Sequence, residues 1–267
     1  MHVFRFSRKT LGIPYALFLL LFVVAPLIVL FYYAFTNGQG QFTIANFTGF
    51  FSDPNTLGTL CYSFAVALVT TLVCLMIAYP TAYILAKSNL KKKSVLVMLF
   101  IMPMWINFVL RTGATRDVLN WIGIQGGTHP YIATMIGLVY NYLPFTILPL
   151  YTTMIKLDKA QIEATRDLGA NPVQTFFLNI LPQSVPGIVS AAEMVFMPTM
   201  SSYVISDTLS EGMITLFGNI IYLNFSQSQW NEGSFMAFIM LLLVGISMLI
   251  SRRFDAAENR VRGGNLW

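Results

Sequence analysis

Few residues in this chain of 267 could carry chemistry. Its only histidines are His2 and His129, which excludes a histidine-built metal site and argues against a Ser-His-Asp triad. Cys61 and Cys74 are 13 residues apart on one expected helix. At a rise of ~1.5 Å per residue they lie about 20 Å apart, too far for a disulfide, and read as small packing residues. No Gly-x-x-x-x-Gly-Lys-Ser/Thr phosphate loop occurs, so the chain is not expected to hydrolyse nucleotide, and an enzyme is not the favoured reading. Three sets of residues remain. One is a polar run from Lys156 to Pro172. The second is Glu193, alone in an apolar stretch. The third is a scatter of aromatic and acidic side chains near the ends of apolar runs: Trp105, Tyr140, Tyr203 and Asp207.

The elements that hold these residues follow from composition. Hydrophobic residues make up 56% of the chain and charged residues only 10%. A water-facing surface needs about 25% charged residues, so the chain reads as an all-α integral membrane protein. A span needs about 20 mostly apolar residues. Six stretches qualify: Leu11–Phe35, Leu57–Ala86, Ser94–Leu110, Tyr131–Met154, Pro186–Ser206 and Ser234–Ile250. Arg5, Arg8 and Lys9 precede the first, but its 25 residues exceed a signal peptide's apolar run of about 7–15, so it reads as a retained span. The net charge of +5 does not point to nucleic acid, because the basic residues sit in short segments between apolar runs. With both termini in the cytoplasm, fourteen Lys and Arg lie inside and two, Arg111 and Arg116, outside; the positive-inside rule selects that orientation. Lys91, Lys92 and Lys93 need no role beyond this. Pro26, Pro80, Pro144, Pro149 and Pro198 interrupt the spans and can bend them, though proline is common in membrane helices.

The polar run lies in the fourth, cytoplasmic loop, about 155–185. Asp158 followed by Gln161 reads as a capping box, and Gly169 as a helix stop, which predicts a helix of about ten residues. Asn171 is expected to cap a second helix with Pro172 at its first position. Leu157, Ala160, Ala164 and Leu168 share one stripe, with Glu163, Arg166 and Asp167 opposite; Glu163 and Arg166, three apart, are spaced to pair. So short a helix is not stable alone and must dock. A helix lying on the bilayer is the competing reading; low hydrophobicity and the lack of bulky aromatics argue against it.

Glu163-Ala164-Thr165, Gly169 and the downstream Leu181-Pro182 resemble the EAA loop of ABC-importer permeases. The resemblance implies a type I importer (MetI-like) fold across a single permease domain, 1–267. It also implies that the loop helix, with Asp158, Glu163, Ala164, Arg166, Asp167 and Gly169, couples to a separate ATPase. Two positions depart from the pattern: Thr165 replaces an alanine, and Asn179 stands where isoleucine is usual. Pro103-Met104-Trp105-Ile106-Asn107 with Arg111, and the runs Gly137–Tyr140, Leu143–Phe145 and Lys156–Lys159, are similar to spermidine/putrescine permeases of the PotB type.

That resemblance implies a bacterial inner-membrane location and partners: two ATPase copies holding ATP and Mg, a second permease chain and an extracytoplasmic binding protein. No cofactor is expected in this chain. A polycation needs carboxylates for its ammonium groups and aromatic faces for its spacers. Trp105, Tyr140, Tyr203 and Asp207 offer these, and Tyr203 and Asp207, four apart, share a face on a continuing helix. Trp105 and Tyr203 also suit an interfacial belt, and Asp207 a cap. Glu193 costs about 2.5–3.5 kcal/mol to insert, so it lines a path, is protonated, or meets a partner subunit. The alternatives are an ABC permease for an oxyanion, iron or opine, using Arg111 and Arg116, and a secondary transporter, which the lack of an internal repeat disfavours.

Overall fold

The computed structural model describes residues 8–88 and 92–263, with side chains described for 12–88 and 92–251. His2, Arg5 and Lys91 lie outside the described residues. The helices are α1 (Gly12–Ala34), α2 (Ala45–Ser52), α3 (Pro54–Lys87), α4 (Lys93–Trp105), α5 (Phe108–Trp121), α6 (Pro130–Met154), α7 (Lys159–Asp167), α8 (Pro172–Met200), α9 (Tyr203–Ser210), α10 (Phe217–Ser226) and α11 (Trp230–Gly263). Among the described residues there is no strand beyond one isolated bridge, Thr36 with Phe42.

Local rules account for many boundaries. Pro54, Pro130 and Pro172 start their helices, where a missing N–H costs nothing. Proline also explains two wide turns. In α1 the π-turn Leu20–Val24 ends two residues before Pro26, and the Ala25 N–H bonds back five residues to Leu20 O. In α8 the π-turn Phe176–Ile180 ends two residues before Pro182, and the Leu181 N–H reaches Phe176 O. A proline removes a donor and crowds the preceding carbonyl, so the ladder widens there instead of breaking.

Among the described residues five helices are long and apolar enough to span: α1, α3, α6, α8 and α11, the last over Trp230–Ser251. The third expected span, Ser94–Leu110, is not one straight helix. It breaks after Trp105, and α4 and α5 meet at 100°. The count reaches six when this bent pair is taken as one span. The fifth expected span also ends early: α8 stops at Met200, so Tyr203 and Asp207 sit on the separate helix α9 rather than on its continuation.

Two compact units are described separately. The first holds residues up to 57 together with 220–243. Phe235 is buried there and meets the rings of Phe35, Phe47 and Phe50 edge-on at centroid distances of 6.4, 6.0 and 5.7 Å. The carbonyls ending α1 have no helical partner. Asn46 donates to Ala34 O and Thr36 O, and Asn231 to Tyr33 O and Thr36 O.

The second unit holds 58–219 and the residues from 244. Its core is α6 against α8. Ala78, Ala82, Ile147, Leu150, Met154 and Ala191 form one buried cluster; Cys74, Leu138, Val195, Ile205 and Leu209 belong to another. Close approach needs small residues: a Cβ at Gly187 would come within 2.6 Å of Thr153 Oγ1. Cys74 packs as expected, whereas Cys61 is exposed.

Candidate functional site

The helix expected from the polar loop forms as α7. Asp158 caps it, its Oδ1 accepting from the Ala160 N–H at 2.9 Å. The capping box does not close. The Asp158 N–H donates to Gln183 Oε1, 25 residues on, at 3.2 Å. The exit is a Schellman motif: Gly169 adopts φ +87°, its N–H meets Arg166 O at 2.8 Å, and the Ala170 N–H meets Thr165 O at 3.3 Å. Asn171 closes a true capping box with Gln174 at the start of α8.

The faces of α7 differ from the expected division. Leu157 and Ile162 turn inward and are buried, while Ala160, Ala164 and Leu168 face out. The stripe of four therefore splits: its first member anchors the loop and the other three form an outward row, with Leu168 90% exposed. Glu163, Arg166 and Asp167 are exposed beside it. Glu163 and Arg166 do not pair; the ion pair among the described residues is Arg116 with Asp117, at 3.5 Å. At 2.8 Å, Asn179 Nδ2 donates to Thr165 Oγ1, and it also reaches Gln161 O at 3.1 Å. Gln183 Nε2 donates to Asn179 Oδ1.

On the other side of the second unit, the Pro103–Arg111 stretch builds the break between α4 and α5. Ile106 and Asn107 are extended, and the Asn107 side chain accepts from the Val109 and Leu110 N–H groups at 3.0 and 3.3 Å. Arg111 reaches back to Pro103 O at 2.6 Å and across to Asn141 Oδ1 at 2.8 Å. The guanidinium carbon stands 5.9 Å from the centre of the Tyr140 ring. Asn141 is fully buried, its own amide donating to Gly137 O. A cavity of about 570 Å³ opens beside Arg111 and Tyr140, walled by Ile106, Leu110, Thr115 and Ile136.

The expected path residues are not gathered in one pocket. Neither Trp105, Glu193, Tyr203 nor Asp207 lines that cavity. Trp105 is 85% exposed at the break. Asp207 is exposed one turn beyond Tyr203 on α9, and Glu193 is half-buried on α8. The sequence reading missed Asn141 and the staple that Arg111 makes with it. It also missed a cavity of about 410 Å³ in the first unit, lined by Phe50, Asp53, Glu232 and Phe235. These are the acidic groups among that unit's described side chains, which include no Lys or Arg. At Asp53 the Thr56 hydroxyl, followed by the Asn55 N–H, holds the carboxyl below its ordinary value.

The chain is 32% identical to the spermidine/putrescine transport system permease protein PotB of Haemophilus influenzae, with 96% of each chain covered. It is 34% identical to PotB of Escherichia coli K12, covering 82% of this chain and 85% of the relative. Among solved structures, a chain of a bacterial alginate ABC transporter in complex with an alginate-bound periplasmic protein superposes with a TM-score of 0.71 at 13% identity, over 92% of this chain and 93% of that one. A chain of the MetNI methionine ABC transporter gives 0.57 at 18% identity, over 75% and 94%. The fold is thus that of ABC-importer permeases, the MetI-like fold expected from the loop. The relatives are transport permeases, in keeping with a subunit that does no catalysis itself. The binding-protein-dependent transport system inner membrane component family matches residues 78–262, more than half of the chain, and the protein belongs to that family.

Proposed function

We propose that this chain is one half of the membrane pore of an ATP-driven importer that carries spermidine and putrescine into the cytoplasm. Family membership already implies a substrate-binding protein and an ATPase as partners in general. The finer reading adds two ATPase copies, which bind the ATP and Mg, and a second permease chain. Both termini and α7 lie on the cytoplasmic side, as the excess of Lys and Arg requires.

The observation that carries the motor part of this reading is α7 itself. It is capped at both ends, held from behind by Ile162, and presents Ala160, Ala164 and Leu168 outward. Small residues let a partner groove approach closely, and Glu163, Arg166 and Asp167 set its register. Nucleotide-driven motion of the ATPase then acts on α7 and, through Gly169 and Asn171, on α8.

The relatives named for polyamines are the main support for the cargo, and side-chain chemistry agrees. Arg111 donates to Asn141 and Pro103, so one of the two outer cations is already engaged. That weakens the oxyanion alternative. In this proposal substrate enters near Trp105, Tyr203 and Asp207, passes Tyr140, and meets Glu193 further in. The test is uptake of labelled spermidine by the complex reconstituted in vesicles with ATP inside. Competition by unlabelled spermidine but not by sulfate is expected, with uptake reduced in Asp207→Asn and Glu193→Gln. Competition by sulfate alone would refute the cargo. Gradient-driven flux by this chain without its ATPase would refute the motor.

A further inference from the structure

Helix α7 has nine residues and one buried side chain, Ile162. A single apolar contact acts as a pivot: it keeps the helix near the bundle but leaves it free to roll. Transmission of a push needs further points of attachment. The structure supplies them from one side chain on α8. Asn179 lies in the π-turn Phe176–Ile180, and its amide donates to Gln161 O and to Thr165 Oγ1, at 3.1 and 2.8 Å. Thr165 Oγ1 in turn donates to Gln161 O at 2.7 Å. The orientation of the amide is set by its neighbours, because turning it over would aim Asn179 Oδ1 at a carbonyl and Nδ2 at the Gln183 donor. Gln183, one turn further along α8, supports Asn179 and holds the leading end of α7 through the Asp158 N–H.

Thr165 and Asn179 are also the two positions at which the loop departs from the EAA pattern. Each alone would set a polar group beside an apolar neighbour; together they satisfy one another. We propose that Asn179 is a positioning residue, paired with Thr165, that clamps α7 to α8 so that the two move as one body when the ATPase pushes. The inference rests on the proposed role of α7 as the ATPase contact.

The test uses the assembled complex in vesicles. Nitroxide labels at Lys159→Cys on α7 and Val185→Cys on α8, in a Cys61→Ser background, report the distance between the helices. Spermidine taken up per ATP hydrolysed reports coupling. Asn179→Ile, and the isosteric Asn179→Asp that loses the donor, are each expected to broaden the distance distribution. Both should also lower the uptake ratio roughly three- to ten-fold, the scale of one or two hydrogen bonds. Thr165→Ala made on top of Asn179→Ile should add little, because the bond it would break is already gone. Unchanged distances and ratio in both Asn179 variants, or single effects that multiply in the double variant, would overturn the clamp. A parent complex whose Ala160→Cys cannot be crosslinked to the ATPase would overturn the motor reading itself, so the two failures are told apart.

Discussion

Arg111 and Arg116 look alike in the sequence, as two cations in one outer loop, yet the structure predicts opposite consequences for their removal. Arg111 is 6% exposed, and its guanidinium meets Asn141 Oδ1 at 2.8 Å and Pro103 O at 2.6 Å. Arg111→Ala leaves the buried Asn141 Oδ1 without a donor, while Pro103 O keeps the Ile106 N–H at 3.3 Å. A stranded buried acceptor costs about 1–3 kcal/mol, and that is the expected loss. The Tyr140 ring adds a smaller share, about 0.5–1 kcal/mol at a partly exposed site. Arg111→Lys offers a single point charge that cannot span both acceptors, and should lose about half as much. Arg116 meets Asp117 at 3.5 Å with both side chains well exposed, so Arg116→Ala should cost under about 0.5 kcal/mol. The assay is unfolding of the purified permease by titrated sodium dodecyl sulfate in mixed micelles, followed by loss of helical circular dichroism. If Arg111→Ala and Arg116→Ala shift the midpoint equally, Arg111 is not a staple and the account of the break is wrong.

Other outcomes follow from the same physics. Gly169 holds φ +87° with no atom within 4 Å of a built Cβ, so the penalty for Gly169→Ala is purely conformational. It should be about 1–2 kcal/mol, smaller for Gly169→Asn, and seen as faster hydrogen exchange at the Ala170 amide. Thr134 Oγ1 is buried without a partner, so Thr134→Val should leave the detergent unfolding midpoint unchanged or raise it. The Asp53 carboxyl is held below its ordinary value chiefly by the Thr56 hydroxyl. Its cap on α3 is therefore complete above the unfolded carboxylate's pKa of about 3.9 and is lost as pH falls through the lower folded value. Amide exchange at Asn55 and Thr56 should lose protection in acid, and Asp53→Asn should remove most of that pH dependence.

Much of the architecture is legible along the chain because its causes are local. Apolar stretches of about 20 residues mark spans in any tertiary setting, and α1, α3 and α6 begin and end within a few residues of their expected limits. The cap at Asp158, the stop at Gly169 and the capping box at Asn171 lie within three residues of the backbone groups they serve, so residue type and spacing suffice to find them. The motif Glu163-Ala164-Thr165 with Gly169 is likewise a local signal, and it led to the family.

What the sequence could not show depends on residues that meet only after folding. From Ser94 to Leu110 only Pro103 and Asn107 interrupt the apolar run, and neither gives an angle; the 100° break is held where Arg111 reaches both Pro103 and Asn141, the latter 30 residues away. The inward anchor of α7 went unremarked because one isoleucine among alanines leaves no periodic mark, and only packing against α3, α6 and α8 decided that Ile162 takes that place. Thr165 and Asn179 read as two unrelated departures until α8 laid one amide across the other's hydroxyl. Helix formation and capping are set by hydrogen bonds a few residues long. Bends, faces and clamps are set by contacts whose partners carry no periodic trace of one another, so they belong to the tertiary structure alone.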